Sequence, residues 1–435
     1  MRLMAMRVGR SSTIWAVVAA CACALAGQAA PAAPAPALTL AQALARARVN
    51  SPQFLAAVAA VGVAQGARTQ ARAALLPSLA FNENYIFTQD NIYVANDGPH
   101  EFMSLGDVHE SLDFGSRARL KWARAGEALA RAQQEIAARG LAAVVTADYY
   151  TLVASQRKQA TAGRAVADAE KYLSISRDRE KGGEVAHADV IQAQLQLEQR
   201  QRDLAEAQLA QEQARLALAV LLFPDFNQNY TLQDDLGQVP PLPGLAQVQA
   251  MAAQHNPQLA AAEAAMEQAR QEVGIARANL LPKASLDYFY GMDAHEFALR
   301  NQYGHTNLGN SVMGMLSVPL FDWGSNRSKL KQSQLLRQQA QVELSYAQRA
   351  LVAQLQGAYA EAQAARGELA TLASSRVLAA ESLRLVGLRY QSGAATILEL
   401  VDAQNSNTLA RNAYNDGQVR YRVALANLQT LTGAF

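Results

Sequence analysis

Residues 341–375 read QVELSYAQRALVAQLQGAYAEAQAARGELATLASS. Small or apolar residues recur here at Leu344, Ala347, Leu351, Leu355, Ala358, Ala362, Ala365, Leu369 and Leu372, in steps of three and four that average 3.5 over four heptads. That period is the seam of a coiled coil. Alanine at so many seam positions draws neighbouring helices close together. The stretch lies inside a helical pattern covering 325–391, and a second pattern of the same kind covers 116–181. At ~1.5 Å per residue each helix is about 100 Å long, far beyond the width of a globular domain. A filamentous coiled coil would account for the helices equally well, so the decision falls to the rest of the chain.

Outward from these helices the sequence proves to be written twice. Residues 40–85 overlay residues 245–290 at a constant shift of 205, without a gap, and 19 of the 46 positions are identical. Pro52-Gln53 matches Pro257-Gln258, and Leu75-Leu76-Pro77 matches Leu280-Leu281-Pro282. Asp113-Phe114-Gly115-Ser116 matches Asp322-Trp323-Gly324-Ser325, and Gly183 matches Gly393. Two repeats, 39–223 and 245–435, are joined by a linker over 224–244 that holds Pro240, Pro241 and Pro243. In each, a short helix breaks before proline, Ser51 or Asn256 caps the next helix, and Leu-Leu-Pro stops it. Two strands, the long helix, a glycine tip (182–186 or 392–396) and a return helix (187–222 or 397–431) follow.

The strands are expected at 79–88, 102–112, 284–291 and 310–321. Leu79, Phe81, Tyr85 and Phe87 alternate with Ala80, Asn82, Asn84 and Thr88, and Val312, Leu316, Val318 and Leu320 alternate with Ser311, Met313 and Ser317. One greasy and one polar face over about ten residues is the pattern of a membrane-spanning β-strand. The second strand breaks the rule at Asp107, His109 and Glu110. A small soluble sheet capping a coiled coil is the other reading. Four strands cannot close a barrel, and open edges are not tolerated in lipid; if the strands enter a membrane, several chains share one barrel, and three chains give twelve strands.

The amino-terminal residues 1–29 form a separate unit. Arg2, Arg7 and Arg10 precede an apolar run over 14–26 and then small residues, the layout of a secretory leader too short to span a membrane as a helix. The only two cysteines, Cys21 and Cys23, lie within it. Either both leave with the leader or Val18-Ala19-Ala20-Cys21 acts as a lipoprotein box and Cys21 is acylated. No disulfide framework exists in either case. An Ala/Pro linker covers 30–38. The charge balance of 39−37 = +2 falls to 36−37 = −1 without the three leader arginines, so no basic field argues for nucleic acid.

The paired Asn/Ser-Pro-Gln starts, the Leu-Leu-Pro stops and Leu320-Phe321-Asp322-Trp323-Gly324 with its weaker copy at 112–115 resemble the TolC-type outer-membrane efflux family. So does the run from Arg389 through Tyr390, Gly393, Thr396, Glu399 and Asp402 to Gln404, and the ending Leu428-x-x-Leu431-Thr432-Gly433. The resemblance covers essentially the whole chain beyond the leader. It implies a homotrimer with a shared twelve-stranded β-barrel in outer-membrane lipid and an α-barrel of long helices below it in the periplasm. A periplasmic adaptor (membrane fusion protein) and an inner-membrane transporter would dock at the lower end. Together they would form the exit duct of a tripartite efflux or type I secretion system for small toxic molecules, metal ions or proteins.

By the same resemblance Gly182, Gly183, Gly393, Ala394, Ala395 and Thr396 are the tips that touch the adaptor, although a plain hairpin turn would use the same glycines. Glu399 and Asp402 match the acidic ring of the lower aperture; they would equally complement a helix N-terminus. Asp189 and Tyr390 match residues that tie the aperture shut, and Ala395 stands where some members carry a base. His100-Glu101-Phe102 and His295-Glu296-Phe297, with His109 and His305, read as polar loop residues rather than metal ligands. No His-Glu-x-x-His helix, phosphate loop or nucleophile elbow occurs, so no enzyme, cofactor or metal site is expected. A periplasmic coiled-coil structural or adaptor protein without a membrane barrel is the alternative.

Overall fold

A computed structural model describes residues 37–89, 99–225 and 229–433. The expected leader, Cys21 and most of the Ala/Pro linker lie outside them. The first repeat contains α1 (Leu40–Asn50), α2 (Pro52–Ala73), β1 (Ser78–Phe87), β2 (His100–Leu112), α3 (Phe114–Lys181) and α4 (His187–Leu222). The second contains α5 (Leu245–His255), α6 (Pro257–Ala278), β3 (Lys283–Ala294), β4 (Leu308–Ser317), α7 (Ser325–Gln391) and α8 (Ile397–Thr432). None of the described helices is long and apolar enough to cross a membrane.

The breaks before proline have a structural purpose. Ser51 Oγ and Asn256 Oδ1 accept from the N–H groups of Phe54 and Leu259, and proline fills the first position of α2 and α6. Beside each break an asparagine amide crosses to another helix. Asn50 Nδ2 donates to the carbonyl of Leu222 (2.6 Å) and Asn256 Nδ2 to that of Leu431 (3.2 Å). These are orphan carbonyls at the ends of α4 and α8. Each bond seats the start of one helix on the end of another, so α2 with α4, and α6 with α8, act as two interrupted rods. Four rods result, in the lateral order α2/α4, α3, α6/α8, α7. All nine seam positions of α7 are buried or half-buried, with Leu351, Leu355, Ala362, Ala365 and Leu369 fully so. They face α6 and α8.

The four strands form one antiparallel sheet in chain order, and β2 pairs with β3 to join the repeats. Register gathers most of the large apolar side chains on one face. Leu79, Phe81, Tyr85 and Phe87 of β1 share a face with Phe102, Val108 and Leu112 of β2, then with Leu286, Tyr288 and Tyr290 of β3 and Val312 and Leu316 of β4. The opposite face carries Asn82, Asn84, Asp107, Asp287, Asp293 and Ser311. On β2 much of the apparent irregularity resolves: Asp107 and His109 fall on the polar face, where His109 pairs with Asp287 across the strands, while Glu110 lies on the apolar side with His100 and Ser104. His100 opens β2, so neither it nor His109 sits in a loop.

Several expected limits are corrected. β4 ends at Ser317, not 321, because Pro319 has no N–H to donate and the chain leaves the sheet there. β3 continues to Ala294, past 291, and β2 begins at His100, before 102. α3 starts at Phe114 because the Asp113 carboxylate caps it through the Ser116 N–H. The matching Asp322 instead accepts from the N–H groups of Gly324 and Asn326. There Trp323 and Gly324 both take left-handed backbone (φ 54° and 82°), and α7 begins only at Ser325.

The β2–β3 pairing depends on one small residue. A Cβ on Gly291 would collide with the carbonyl oxygen of Ser104, whereas Gly314 on β4 has open space around it. Overpacking of this kind costs about 1–3 kcal/mol. Gly291→Ala should lower the temperature at which the detergent-purified protein loses its compact band on a heat-shift gel, while Gly314→Ala should leave it unchanged. Equal behaviour of the two variants would contradict the pairing.

Candidate functional site: the helical tip

Far from the sheet, α3 turns into α4 and α7 into α8 by the same device. Gly183 and Gly393 take φ of 75° and 79°, conformations that glycine adopts without strain. The N–H of Glu184 bonds to Arg179 O and that of Gly183 to Glu180 O; Ala394 to Arg389 O and Gly393 to Tyr390 O repeat the pattern. This double bond set is the Schellman ending, which satisfies the last carbonyls of a helix and reverses the chain. Gly182, Ala394 and Thr396 are exposed at the two turns, and Ala395 is half-buried.

The two hairpins pack on each other through an apolar cluster of Leu173, Val190 and Ala193 against Tyr390, Ile397 and Leu400. Tyr390 is its centre, 1% exposed. Its hydroxyl shares a hydrogen bond with Ser176 Oγ (2.6 Å), its ring lies 5.4 Å from the Arg179 guanidinium, and its carbonyl accepts from Arg179 Nη1 at 3.0 Å. Tyr172 meets it edge-on, at 6.1 Å between centroids. A Cβ on Gly387 would come within 2.5 Å of the Tyr172 hydroxyl, so glycine at this point of α7 admits the α3 tyrosine. Sequence reading found Tyr390 but missed Tyr172, Ser176 and Arg179. Their only signal was the position of Ser176, a small polar residue in the seam between Leu173 and the tip. With alanine at 395, the cation beside Tyr390 is Arg179 of α3.

The other expected residues are placed apart from this cluster. Asp189 sits half-exposed in the first turn of α4, and its carboxylate makes no hydrogen bond or ion pair with the described residues. It does not meet Tyr390. Glu399 lies in the first turn of α8, where its N–H donates to Thr396 Oγ1 (3.3 Å) and its carboxylate lies 3.4 Å from Arg389 Nη1. Asp402, one turn on, is exposed. Ile397, Leu400 and Ala403 bury the opposite face of α8, so both carboxylates point away from the chain's own core.

Above the cluster the packing turns polar. Thr161, Arg164 and Asp168 of α3 face Gln404, Asn407 and Arg411 of α8 around a cavity of about 50 Å³. Burial pushes the Asp168 carboxyl above the usual carboxylate range, while Lys171 and Arg411 pull it back. Among the described residues no group of three or more metal-binding side chains occurs. The site packs the two hairpins together through an apolar cluster and the Tyr390–Ser176 hydrogen bond.

A sequence model of the family described as "Outer membrane efflux protein" matches residues 43–222 and 248–434. The chain is 26% identical over 321 residues to outer membrane protein OprJ of Pseudomonas aeruginosa, taking in 72% of this chain and 66% of that one. It is 25% identical over 407 residues to outer membrane protein TolC of Vibrio cholerae, with 89% of each covered. The fold is that of the outer membrane channel CmeC of Campylobacter jejuni, with a TM-score of 0.77 at 18% identity over 91% of this chain and 85% of the other.

The tip geometry makes a measurable demand. A net hydrogen bond is worth roughly 1 kcal/mol, about fivefold in an equilibrium. Tyr390→Phe combined with Arg179→Ala should therefore shift the hairpins toward separation and raise the time-averaged conductance in planar bilayers about fivefold, by raising the fraction of time spent open. Unaltered conductance from the folded double variant would show that this contact does not hold the tip closed.

Proposed function

Because the chain belongs to the outer membrane efflux protein family, we propose that three copies of it form one outer-membrane exit duct. The chain is a channel component of the outer membrane, with long helices extending into the periplasm, and not an enzyme. The observation that supports a shared duct is the pair of open sheet edges. β1 and β4 are exposed along their whole length and each has a neighbour on one side only. In hydrocarbon the unpaired N–H and C=O groups of those edges must be closed by another strand. The β1 edge of one copy against the β4 edge of the next gives 3 × 4 = 12 strands from three copies.

The helices carry the same requirement. α7 and α2/α4 are the outer rods of the chain, and both present apolar side chains outward: Val342, Tyr346 and Val352 on α7, Leu55 and Val63 on α2, Leu195 and Leu209 on α4. A ring in which α7 of one copy packs on α2/α4 of the next buries both stripes. This head-to-tail contact closes when the rotation is a whole fraction of a turn.

At the lower end, each copy would set Glu399 and Asp402 toward a common axis, six carboxylates in all from three copies. A ring of that kind favours cations. Asp189, without a side-chain partner among the described residues, is available to a neighbouring copy across the aperture. The turns at Gly182, Gly183, Gly393, Ala394, Ala395 and Thr396 are the surface offered to a periplasmic adaptor, through which an inner-membrane transporter delivers cargo.

Two measurements test this reading. Light scattering on the detergent-purified chain should give three times the chain mass, and a monomer would end the shared-barrel proposal. In planar bilayers, Glu399→Ala with Asp402→Ala should reduce the preference for potassium over chloride; equal reversal potentials for variant and parent would remove the acidic ring.

A further inference from the structure

The apolar face of the sheet does not stop where the strands stop. From β2 it runs through Leu112 to Phe114, and from β4 through Val318 and Leu320 to Phe321 and Trp323. Leu320 and Trp323 are each 90% exposed, and the rings of Phe321 and Trp323 meet edge-on with centroids 4.8 Å apart. One turn further on, the chemistry changes. Arg117, Lys121 and Arg124 open α3, and Arg327 and Lys331 open α7; all five are exposed, and none forms a salt bridge with a described residue. Arg119 alone in this zone is engaged, with Asp113.

The direction in which the α3 cations point follows from what covers its other faces. Gly115 and Ala118 lie against Ala278 and Gly274 of α6, and Gly126 against Gln268. Glu127 takes Arg68 of α2 at 2.9 Å. Positions 117, 121 and 124, spaced four and three apart, fall on an exposed stripe away from the residues that meet α2 and α6. Phe114, three residues before Arg117, heads that stripe. In the second repeat a groove of about 240 Å³ runs between Leu280, Pro319, Leu320, Phe321, Asn326 and Arg327. Its walls combine apolar surface with a guanidinium. Exposed aromatics followed by unpaired cations are the profile of a segment crossing from hydrocarbon to headgroups.

We propose that this collar binds the headgroups of anionic phospholipids, of the phosphatidylglycerol type, in the leaflet nearest the helices. It rests on the reading of the sheet as membrane-embedded. Phe114, Leu320, Phe321 and Trp323 lie among the acyl chains, while Arg117, Lys121, Arg124, Arg327 and Lys331 donate to phosphate oxygens just outside. Arginine and lysine stems lie along apolar surface while their heads reach the phosphate layer. The collar fixes the depth of the barrel in the bilayer and recruits a shell of acidic lipid around it.

The chain's three tryptophans are Trp15, Trp122 and Trp323, which supplies a direct reporter. The full chain carrying Trp15→Phe and Trp122→Phe leaves Trp323 as the sole indole. It is reconstituted into vesicles containing phosphatidylcholine and phosphatidylglycerol at equal mole fraction, with one lipid or the other brominated. Brominated phosphatidylglycerol should quench Trp323 about twofold more than brominated phosphatidylcholine, with the excess shrinking at high salt. Adding Arg117→Gln, Lys121→Gln, Arg124→Gln, Arg327→Gln and Lys331→Gln should abolish the excess while phosphatidylcholine quenching persists. Equal quenching by the two lipids in the parent, or an excess that survives the five changes, overturns the collar but leaves the embedded sheet standing. Absence of quenching by either lipid overturns the collar and the embedded sheet together.

Discussion

Every strand in a hydrocarbon layer must hand its N–H and C=O groups to another strand, because no water is there to accept them. This constraint governs the whole molecule. One chain brings four strands in sequence order with β1 and β4 left unpaired on one side, and the proposed duct closes those edges by sharing the barrel between copies. Once edges must meet between copies, the helices attached to them are brought side by side as well. The apolar stripes left on α7 and on α2/α4 then have a partner. The assembly is dictated from the sheet downward, although most of the residues that would touch are in the helices.

Building a rod about 100 Å long from a chain that also has to enter the membrane and return raises a second problem. The long helices α3 and α7 run unbroken, but their neighbours are made in two pieces. The joints are held by Asn50 and Asn256, each donating to a carbonyl at the end of another helix. Those asparagines are not at equivalent repeat positions, since 50 + 205 = 255 and 51 + 205 = 256. The two repeats satisfy the same orphan carbonyls from adjacent residues. What duplication preserved is the hydrogen bond, with the residue that makes it free to move by one place.

Much of this architecture was legible because it depends on periodicity and on chain-breaking residues. The seam from Leu344 to Leu372 gave the face by which α7 packs, and Pro52, Pro257 and the glycine tips gave helix ends with definite stereochemical causes. The strands were harder to read. Asp107 and His109 looked like faults in β2 until the register put Asp287 opposite His109, a partner 178 residues away that no local pattern could reveal. At the tip, Tyr390 could be named from a motif, but Ser176, Arg179 and Tyr172 could not. They belong to a different repeat and are joined to it only by packing. Asp189 and Tyr390 share a role only by resemblance, and no hydrogen bond joins them within the chain.

The vertical sequence of layers explains how a rigid rod can have a movable end. The tip cluster around Tyr390 and Leu400 is small, apolar and separately closed. Directly above it lies a polar layer of Arg164, Asp168, Gln404 and Arg411 around a small cavity, where Gln404 Nε2 has no hydrogen-bond partner. Buried polar groups that are incompletely satisfied weaken a layer relative to a close-packed apolar one. Further up, the large core of Tyr149, Tyr150, Leu218 and Leu222, with α1 and the linker residue Leu232, fixes the rods firmly. Stability is thus concentrated above and below a softer plane. The proposed opening of the aperture would break contacts confined to the tip cluster and leave those of the upper core in place.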